Sequence, residues 1–462
     1  MTKFEPIIGL EVHIELATAS KMFCACSADY FTSYPNTHTC PICLGLPGAL
    51  PNANKKAIEL AQLFGLALDC KLNNFAKFDR KNYFYPDLAK GFQISQYDLP
   101  FSQRGKIEVE VNNQTKKIGI TRAHLEEDTG KLTHTKIDGR DVTLIDFNRS
   151  GVPLLEIVTD PDMRSSAEAK TYAQKLQQIA RYVGASDADM EKGSMRIEPN
   201  VSLRKVIRHP EGSEGSNGDS SPKAQNDRLL PKYKVELKNI NSFRYAEKAI
   251  EYEIRRQTEI LDSGETPAQE TRGWNENRQE TVSQRSKEFA HDYRYFPEPD
   301  IPPLNFDPAY RKKLKTSLPE LPDTKLARFQ KDYQLSPYDV QILTRGREVA
   351  DYFEEAAEAG KKHGINPKRI ANEIINKKPD IEKTLPAEFV LQIYKTSQVS
   401  QISGDELDKI VRGVLIENTK AVEDYRSGKQ NATMFLVGQI MRKVGQNIDA
   451  NLVRNIIKEK LK

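Results

Sequence analysis

Apolar and polar residues alternate strictly near the start of the chain, with Leu10, Val12, Ile14 and Leu16 apolar and Glu11, His13 and Glu15 between them. A period of two predicts a strand with one dry face. Ile107, Val109 and Val111, then Asn112–Asn113, then Ile118 and Ile120 predict a hairpin. Helical stripes interrupt these strands. Asn54 is placed to cap a helix that turns Ala57, Leu60, Ala61, Phe64 and Leu68 inward. Ser165 and Glu168 have capping-box spacing ahead of Ala169, Tyr172, Ala173, Leu176, Ile179 and Val183. A third helix is predicted from about 242 to 264, with Ala246, Ala249, Ile250, Ile254 and Leu261 inward.

The first 300 or so residues therefore read as mixed α/β. Residues 209–228, HPEGSEGSNGDSSPKAQNDR, are almost free of apolar side chains and read as a flexible surface loop. The proline cluster FPEPDIPPLNFDP at 296–308 suits neither a helix nor a sheet interior and marks a boundary. Beyond it the pattern is helical, with short tail helices predicted at about 405–417, 419–427, 431–443 and 449–461 and a stop at Gly428.

Hydrophobic residues make up 38% of the 462 and charged residues 29%, a globular composition. The N-terminus has charges within its apolar stretch, so a secretory signal is not expected. There is no membrane-length apolar run, and the expected location is the cytoplasm, away from membranes. A net charge of +4 is too small to identify a nucleic-acid partner. Five cysteines in such a chain argue against a disulfide framework.

Cys24 and Cys26, then Cys40 and Cys43, form two close pairs that can offer four thiolates to a structural zinc ion. The alternative is four reduced cysteines. Cys70 stands alone in apolar context and reads as core. Glu11, His13 and Glu15 share one face of the first strand, which makes either a polar solvent face or a site. Two further acidic groups weigh towards a site: Glu126, Glu127 and Asp128, and Asp146, Glu156, Asp160 and Asp162. Glu156 lies among Leu154, Leu155, Ile157 and Val158. A carboxylate there is costly to bury unless paired or bound to metal. Carboxylates with a histidine suit Mg²⁺, and Mg²⁺ suggests phosphates. The stretch 78–100 gathers Asp79, Arg80, Lys81, Asn82, Tyr83, Phe84 and Tyr85, followed by Lys90, Gln93 and Gln96. It could stack a base and grip phosphates, or it could be an amphipathic surface loop. Walker, dinucleotide-binding and hydrolase-elbow motifs are absent, as is any Ser/Gly-rich amidase segment that could supply a glutaminase nucleophile.

Read in order, GLEVHIEL, FDRKNYFYPD, QISQYD, HLEEDTGK, FNRSGVPLLEIV, EKGSMR, VELKNINSFR, QETRGW, DYRYFPEPDIPPL and FLVGQIM closely resemble the GatB family of tRNA-dependent amidotransferase subunits. The resemblance implies an α+β fold: a cradle-shaped mixed α/β catalytic domain at 1–300, a helical domain at 301–400 and a small helical, tRNA-binding tail at 401–462. It implies a glutamine-dependent amidotransferase that phosphorylates, with ATP, the side-chain carboxylate of glutamyl-tRNA(Gln) or aspartyl-tRNA(Asn). Ammonia would come from an amidase-family A subunit, with a small C subunit completing a heterotrimer. In similar proteins Mg²⁺ ligands and ATP contacts fall on the motifs holding Glu11, His13, Glu126, Glu127 and Glu156. Lys81 and Lys90 fall in the motif associated with an ammonia tunnel. On this reading Glu11, His13, Glu127, Lys81 and Lys90 are catalytic, and Arg80, Asn82, Tyr83 and Glu126 bind ATP or substrate.

The chain departs from the family pattern at Ile197-Glu198, where Cys-Asp is usual, and it looks shortened at 380–405. The zinc cysteines are missing from some relatives, which fits a structural role. A rival reading is a non-catalytic zinc-containing RNA-binding scaffold, which would leave Glu156 and the Glu11/His13 pair unexplained. Another is an amide synthetase working alone on free ammonia.

Overall fold

In a computed structural model, which describes residues 3–206, 230–286, 292–397, 404–429, 431–444 and 450–461, the first strand runs Phe4–Glu15. The predicted loop at 209–228 lies outside the described residues. The first strand sits inside a nine-stranded sheet. Across the sheet the order is Glu280–Ser286, Glu270–Asn275, Val235–Lys238, Met195–Lys205, Phe4–Glu15, Pro153–Thr159, Gln114–Glu127, Ser102–Val111 and Lys71–Leu72. Neighbours are antiparallel except Val235–Lys238 with Glu270–Asn275.

The predicted alternation decides what each face carries. Leu10, Val12 and Ile14 are buried in one core with Ala57, Leu60 and Phe64 of helix Lys55–Ala67. The same core takes Tyr172 and Leu176 of helix Ser166–Tyr182, and Ala246, Ala249 and Ile250 of helix Phe243–Asp262. Each large aliphatic side chain buried this way contributes roughly 1.5–3 kcal/mol. Glu11, His13 and Glu15 must then face the other side.

Local signals act as expected. The Asn54 side chain accepts the N–H groups of Lys56 and Ala57 at 2.9 and 3.2 Å. Asn112 and Asn113 both have positive φ, 53° and 60°, the conformation of a tight I′ hairpin turn. Ser165 accepts the Glu168 N–H at 3.2 Å. The reciprocal half of that capping box does not form, because the Glu168 carboxylate takes the Arg164 N–H and Lys116 instead, each at 2.7 Å.

The chain divides into two units, Met1–Pro322 and Asp323–Lys462, so the first one continues past the expected boundary near 300. Proline is compatible with short edge strands. Phe296–Pro297 pairs at the edge of a small sheet with Asp79–Arg80, and Leu304–Asn305 pairs with Phe75–Ala76. Ile301 is buried in the first core, and the Tyr310 hydroxyl donates to Gln62 at 2.7 Å.

The second unit is helical and has two cores. One gathers Phe329, Val340, Phe353, Ile370 and Val390. The other gathers Leu407, Val411, Leu436, Ile440, Val453 and Ile457. Its tail helices are Gly404–Glu417, Thr419–Arg426, Asn431–Val444 and Ala450–Lys460, within two residues of the predicted bounds. In the region that looks shortened, helix Pro386–Ser397 is present and residues 398–403 lie outside the description. Among the described residues no helix is long and apolar enough to cross a membrane.

Candidate functional site

Three strands carry one cross-strand row. His13 lies opposite Glu156, and Glu156 lies opposite His124. Both imidazoles reach the same carboxylate oxygen: His13 Nε2 is 3.4 Å and His124 Nε2 3.6 Å from Glu156 Oε2. Glu126, two residues beyond His124 and on the same face, brings Oε2 to 3.8 Å from His124 Nε2. Lys81 Nζ lies 4.0 Å from that oxygen, which also accepts the Ser95 hydroxyl at 3.0 Å. His124, Glu126 and Glu156 are all buried.

The charges hold one another in place. Burial pushes the Glu156 carboxyl up, but His124, His13 and Lys81 outweigh it and hold it well below the ordinary range. Burial likewise opposes ionisation of Glu126, and Lys81 and His124 overcome it. Burial lowers His13, yet its hydrogen bond to Glu156 and the charges of Glu156, Glu198 and Glu126 bring it to about 9. Arg122 Nε donates to His124 Nδ1 at 3.3 Å. That contact leaves His124 Nε2 facing the carboxylates of Glu126 and Glu156.

His13, Glu126 and Glu156 each bring one ligand atom within 4.8 Å of the others. One imidazole and two carboxylates form a donor set suited to Mg²⁺. Glu11 belongs to a separate group with Glu198 and Glu236. Asn200 donates to Glu11 Oε1 at 3.0 Å, and Lys238 Nζ is 3.0 Å from Glu198. Burial first, then the charges of Glu156 and Glu198, push the Glu11 carboxyl up. Glu15 turns away from both groups and accepts the Tyr30 hydroxyl at 2.9 Å.

Glu127 is also apart from the Glu126 group, since consecutive strand residues point to opposite sides. Its Oε1 is bonded to Lys90 and accepts the Ile94 N–H at 2.9 Å. Arg80 is spent on Glu298, through two bonds of 2.7 and 2.9 Å. Asn82 donates to the Arg294 carbonyl at 2.8 Å. Neither joins the carboxylate group; both tie segment 293–300 to strand Asp79–Asn82. The tie builds an aromatic wall. Lys81 Nζ lies 5.2 Å from the Tyr293 ring and 5.9 Å from the Tyr83 ring, and Tyr97 stacks on Tyr295 at 4.3 Å.

The four paired cysteines converge, with all four sulfurs within 4.8 Å of one another. Cys43 Sγ accepts the Cys40 N–H at 3.1 Å and lies 3.7 Å from Lys21 Nζ. The Cys43 thiol is lowered to about 4, first by a hydrogen bond from Cys24, then, against burial, by the Cys40 N–H and Lys21. Four converging sulfurs fit a tetrahedral zinc ion. Cys70 is buried elsewhere, against Gly105.

The sequence pattern does not single out His124, Glu236, Tyr293, Tyr295 or Lys21. His124 carries a usable signal, its spacing of two from Glu126 on a strand. The others are brought in by pairing between distant segments.

Residues 6–312 match the family model described as the GatB/GatE catalytic domain, and residues 365–461 match the one described as the GatB domain. The chain is similar to the B subunit of the aspartyl/glutamyl-tRNA(Asn/Gln) amidotransferase of Carboxydothermus hydrogenoformans, with 45% identity covering 100% of this chain and 99% of that protein. The same-named protein of Dehalococcoides mccartyi is 43% identical at 100% and 99% coverage. That of Roseiflexus castenholzii is 42% identical at 98% and 98%.

Proposed function

The chain belongs to the GatB family, and from that premise we propose how it works as a subunit of a tRNA amidotransferase: it activates the side-chain carboxylate of a misacylated tRNA with ATP and hands it to ammonia. The observation that carries this reading is the row His13–Glu156–His124, buried at Glu156 and His124 and half-buried at His13, with buried Glu126 and half-buried Lys81 beside it. A non-catalytic scaffold has no use for so many buried charges.

A carboxylate is a poor electrophile. Its oxygen attacks the γ-phosphorus of ATP, and ADP leaves. Ammonia then attacks the acyl carbon, inorganic phosphate leaves, and loss of a proton gives the amide. The substrates are glutamyl-tRNA(Gln), aspartyl-tRNA(Asn) or both. An amidase-family A subunit supplies ammonia, a small C subunit completes the assembly, and the helical tail grips tRNA mainly by shape and phosphates.

His13, Glu126 and Glu156 would hold Mg²⁺, which when bound cancels charge on the phosphates. Lys81 balances Glu126 and, with Ser95, fixes where its oxygens point. Tyr83, Tyr293 and Tyr295 screen this centre from water. Lys90 and Glu127 form a closed pair that can open to admit ammonia. Arg80 and Asn82 serve substrate binding through the wall they hold. The four cysteines would bind a structural zinc ion.

The test is trapping. The assembled complex, misacylated tRNA, ATP and hydroxylamine should yield a side-chain hydroxamate and one ADP per hydroxamate. His13→Ala should abolish both. Normal ammonium-dependent amidation by His13→Ala would overturn the assignment.

A further inference from the structure

Lys21 is fully buried. Its Nζ lies 2.7 Å from the His38 carbonyl, 3.3 Å from the Phe147 carbonyl and 3.7 Å from Cys43 Sγ. Three acceptors use three N–H hydrogens, the number an ammonium has and a neutral amine lacks. Burying an ammonium is costly unless an opposite charge accompanies it. Among the described residues no carboxylate pairs with Lys21, and two carbonyls carry only partial charge.

Four thiolates around one divalent ion leave two negative charges. The Lys21 ammonium against Cys43 reduces that excess to one. We propose that Lys21 is the built-in counter-charge of a metal tetrathiolate formed by Cys24, Cys26, Cys40 and Cys43. The inference rests on the zinc reading above and deepens it, because it makes the charge of the loaded cluster the reason a lysine can be buried here.

The backbone has the same logic. The Lys21 N–H donates to the Cys26 carbonyl at 2.9 Å, while its side chain reaches Cys43 and the His38 carbonyl. One residue thus ties the first cysteine pair to the second. The Phe147 contact ties both to the loop that leads into strand Pro153–Thr159, which carries Glu156. Lys21 acts on the metal through its ligands, so it is a positioning residue.

The experiment uses the full chain purified without chelator. Zinc content is measured, then the rate of zinc transfer to a chromophoric chelator. Wild type should carry one zinc per chain. Lys21→Met keeps the stem and removes the charge, and should release zinc roughly 10- to 100-fold faster, the range found when partners of metal ligands are removed. Lys21→Arg should restore most of the retention.

If Lys21→Met fails to fold, amine labelling of wild type decides the matter. Lys21 should resist acylation in the zinc-loaded protein and become reactive once zinc is stripped. Zinc-loaded wild type with Lys21→Met releasing zinc at the wild-type rate overturns the role of Lys21 and leaves the zinc reading standing. Lys21→Arg behaving like Lys21→Met, or labelling that ignores zinc, also overturns it. A wild-type chain without zinc overturns both.

Discussion

The ammonium of Lys90 is bonded to the carboxylate of Glu127, and the same oxygen accepts the Ile94 N–H at 2.9 Å. Lys81 belongs to a different group, 4.0 Å from Glu126. The two lysines should therefore fail in different ways. Lys90→Met should depress glutamine-dependent amidation about tenfold or more while ammonium-dependent amidation survives, because only the closed pair is lost. Lys81→Met should depress both by roughly 10²- to 10³-fold, the usual cost of removing an electrostatic stabiliser. Parallel assays of the complete assembly with glutamine and with ammonium decide it. Equal losses for Lys90→Met would place it in the carboxylate centre.

His124 should matter to Mg²⁺ without binding it. Its Nε2 faces Glu156 and Glu126, and Arg122 fixes its Nδ1. His124→Ala frees both carboxylates to rotate. The Mg²⁺ concentration needed for half-maximal rate should rise roughly 10- to 100-fold, and Mn²⁺ binding followed by electron paramagnetic resonance should weaken in parallel. Unchanged Mn²⁺ affinity would leave His124 as simple packing.

The site is only partly legible in the sequence, for a physical reason. Alternation fixes which residues share a face of one strand, so Glu11, His13 and Glu15 can be placed together. It does not fix what lies across from them. Glu11 faces Glu198 and His13 faces Glu156, so two residues one repeat apart fall into different groups. Glu126 and Glu127 look like one acidic cluster in sequence, yet a strand sends them to opposite sides. Helix caps and the Asn112–Asn113 turn depend on neighbours alone, and they are readable. The proline run misleads as a boundary because proline also tolerates the short edge strands it forms here.

Metal removal should read selectively in the first unit. Cys24, Cys26, Cys40 and Cys43 all lie in Met1–Pro322, and metal binding free energy becomes folding free energy. Cys40→Ser, or chelation of wild type, should lower the unfolding temperature of the transition that includes the nine-stranded sheet. The transition of Asp323–Lys462 should stay put. Differential scanning calorimetry of the full chain makes the comparison, and a shift confined to the helical unit would contradict a zinc site in the first.

Acid should weaken the helical unit. Burial pushes the Glu354 carboxyl up, but hydrogen bonds from Arg328 and Lys325 outweigh it and hold it below its ordinary 4.5. A depressed acid stabilises the fold fully above the unfolded value and loses that contribution as pH falls through the folded one. The second transition should therefore weaken below about pH 4.5. Glu354→Gln should flatten that dependence in calorimetric scans from about pH 3 to 7, and an equally steep loss in the variant would assign it to other groups.

Gly45 offers the sharpest link between the cysteine module and the Lys90–Glu127 pair. It closes the Cys40–Cys43 turn with φ +67°, and a Cβ there would lie 2.4 Å from Lys90 Cγ. Gly45→Ala must therefore push Lys90 aside as well as bear the left-handed strain of roughly 1–2 kcal/mol. Gly48 has φ +86° and open space around its missing Cβ, so Gly48→Ala carries the backbone strain alone. Both variants should keep their zinc and lose a few degrees of thermal stability. Only Gly45→Ala should reproduce the kinetic pattern of Lys90→Met, with glutamine-dependent amidation falling and ammonium-dependent amidation holding. Should the two alanine variants behave alike in that assay, backbone strain alone explains the effect, and the contact with Lys90 does not set ammonia entry.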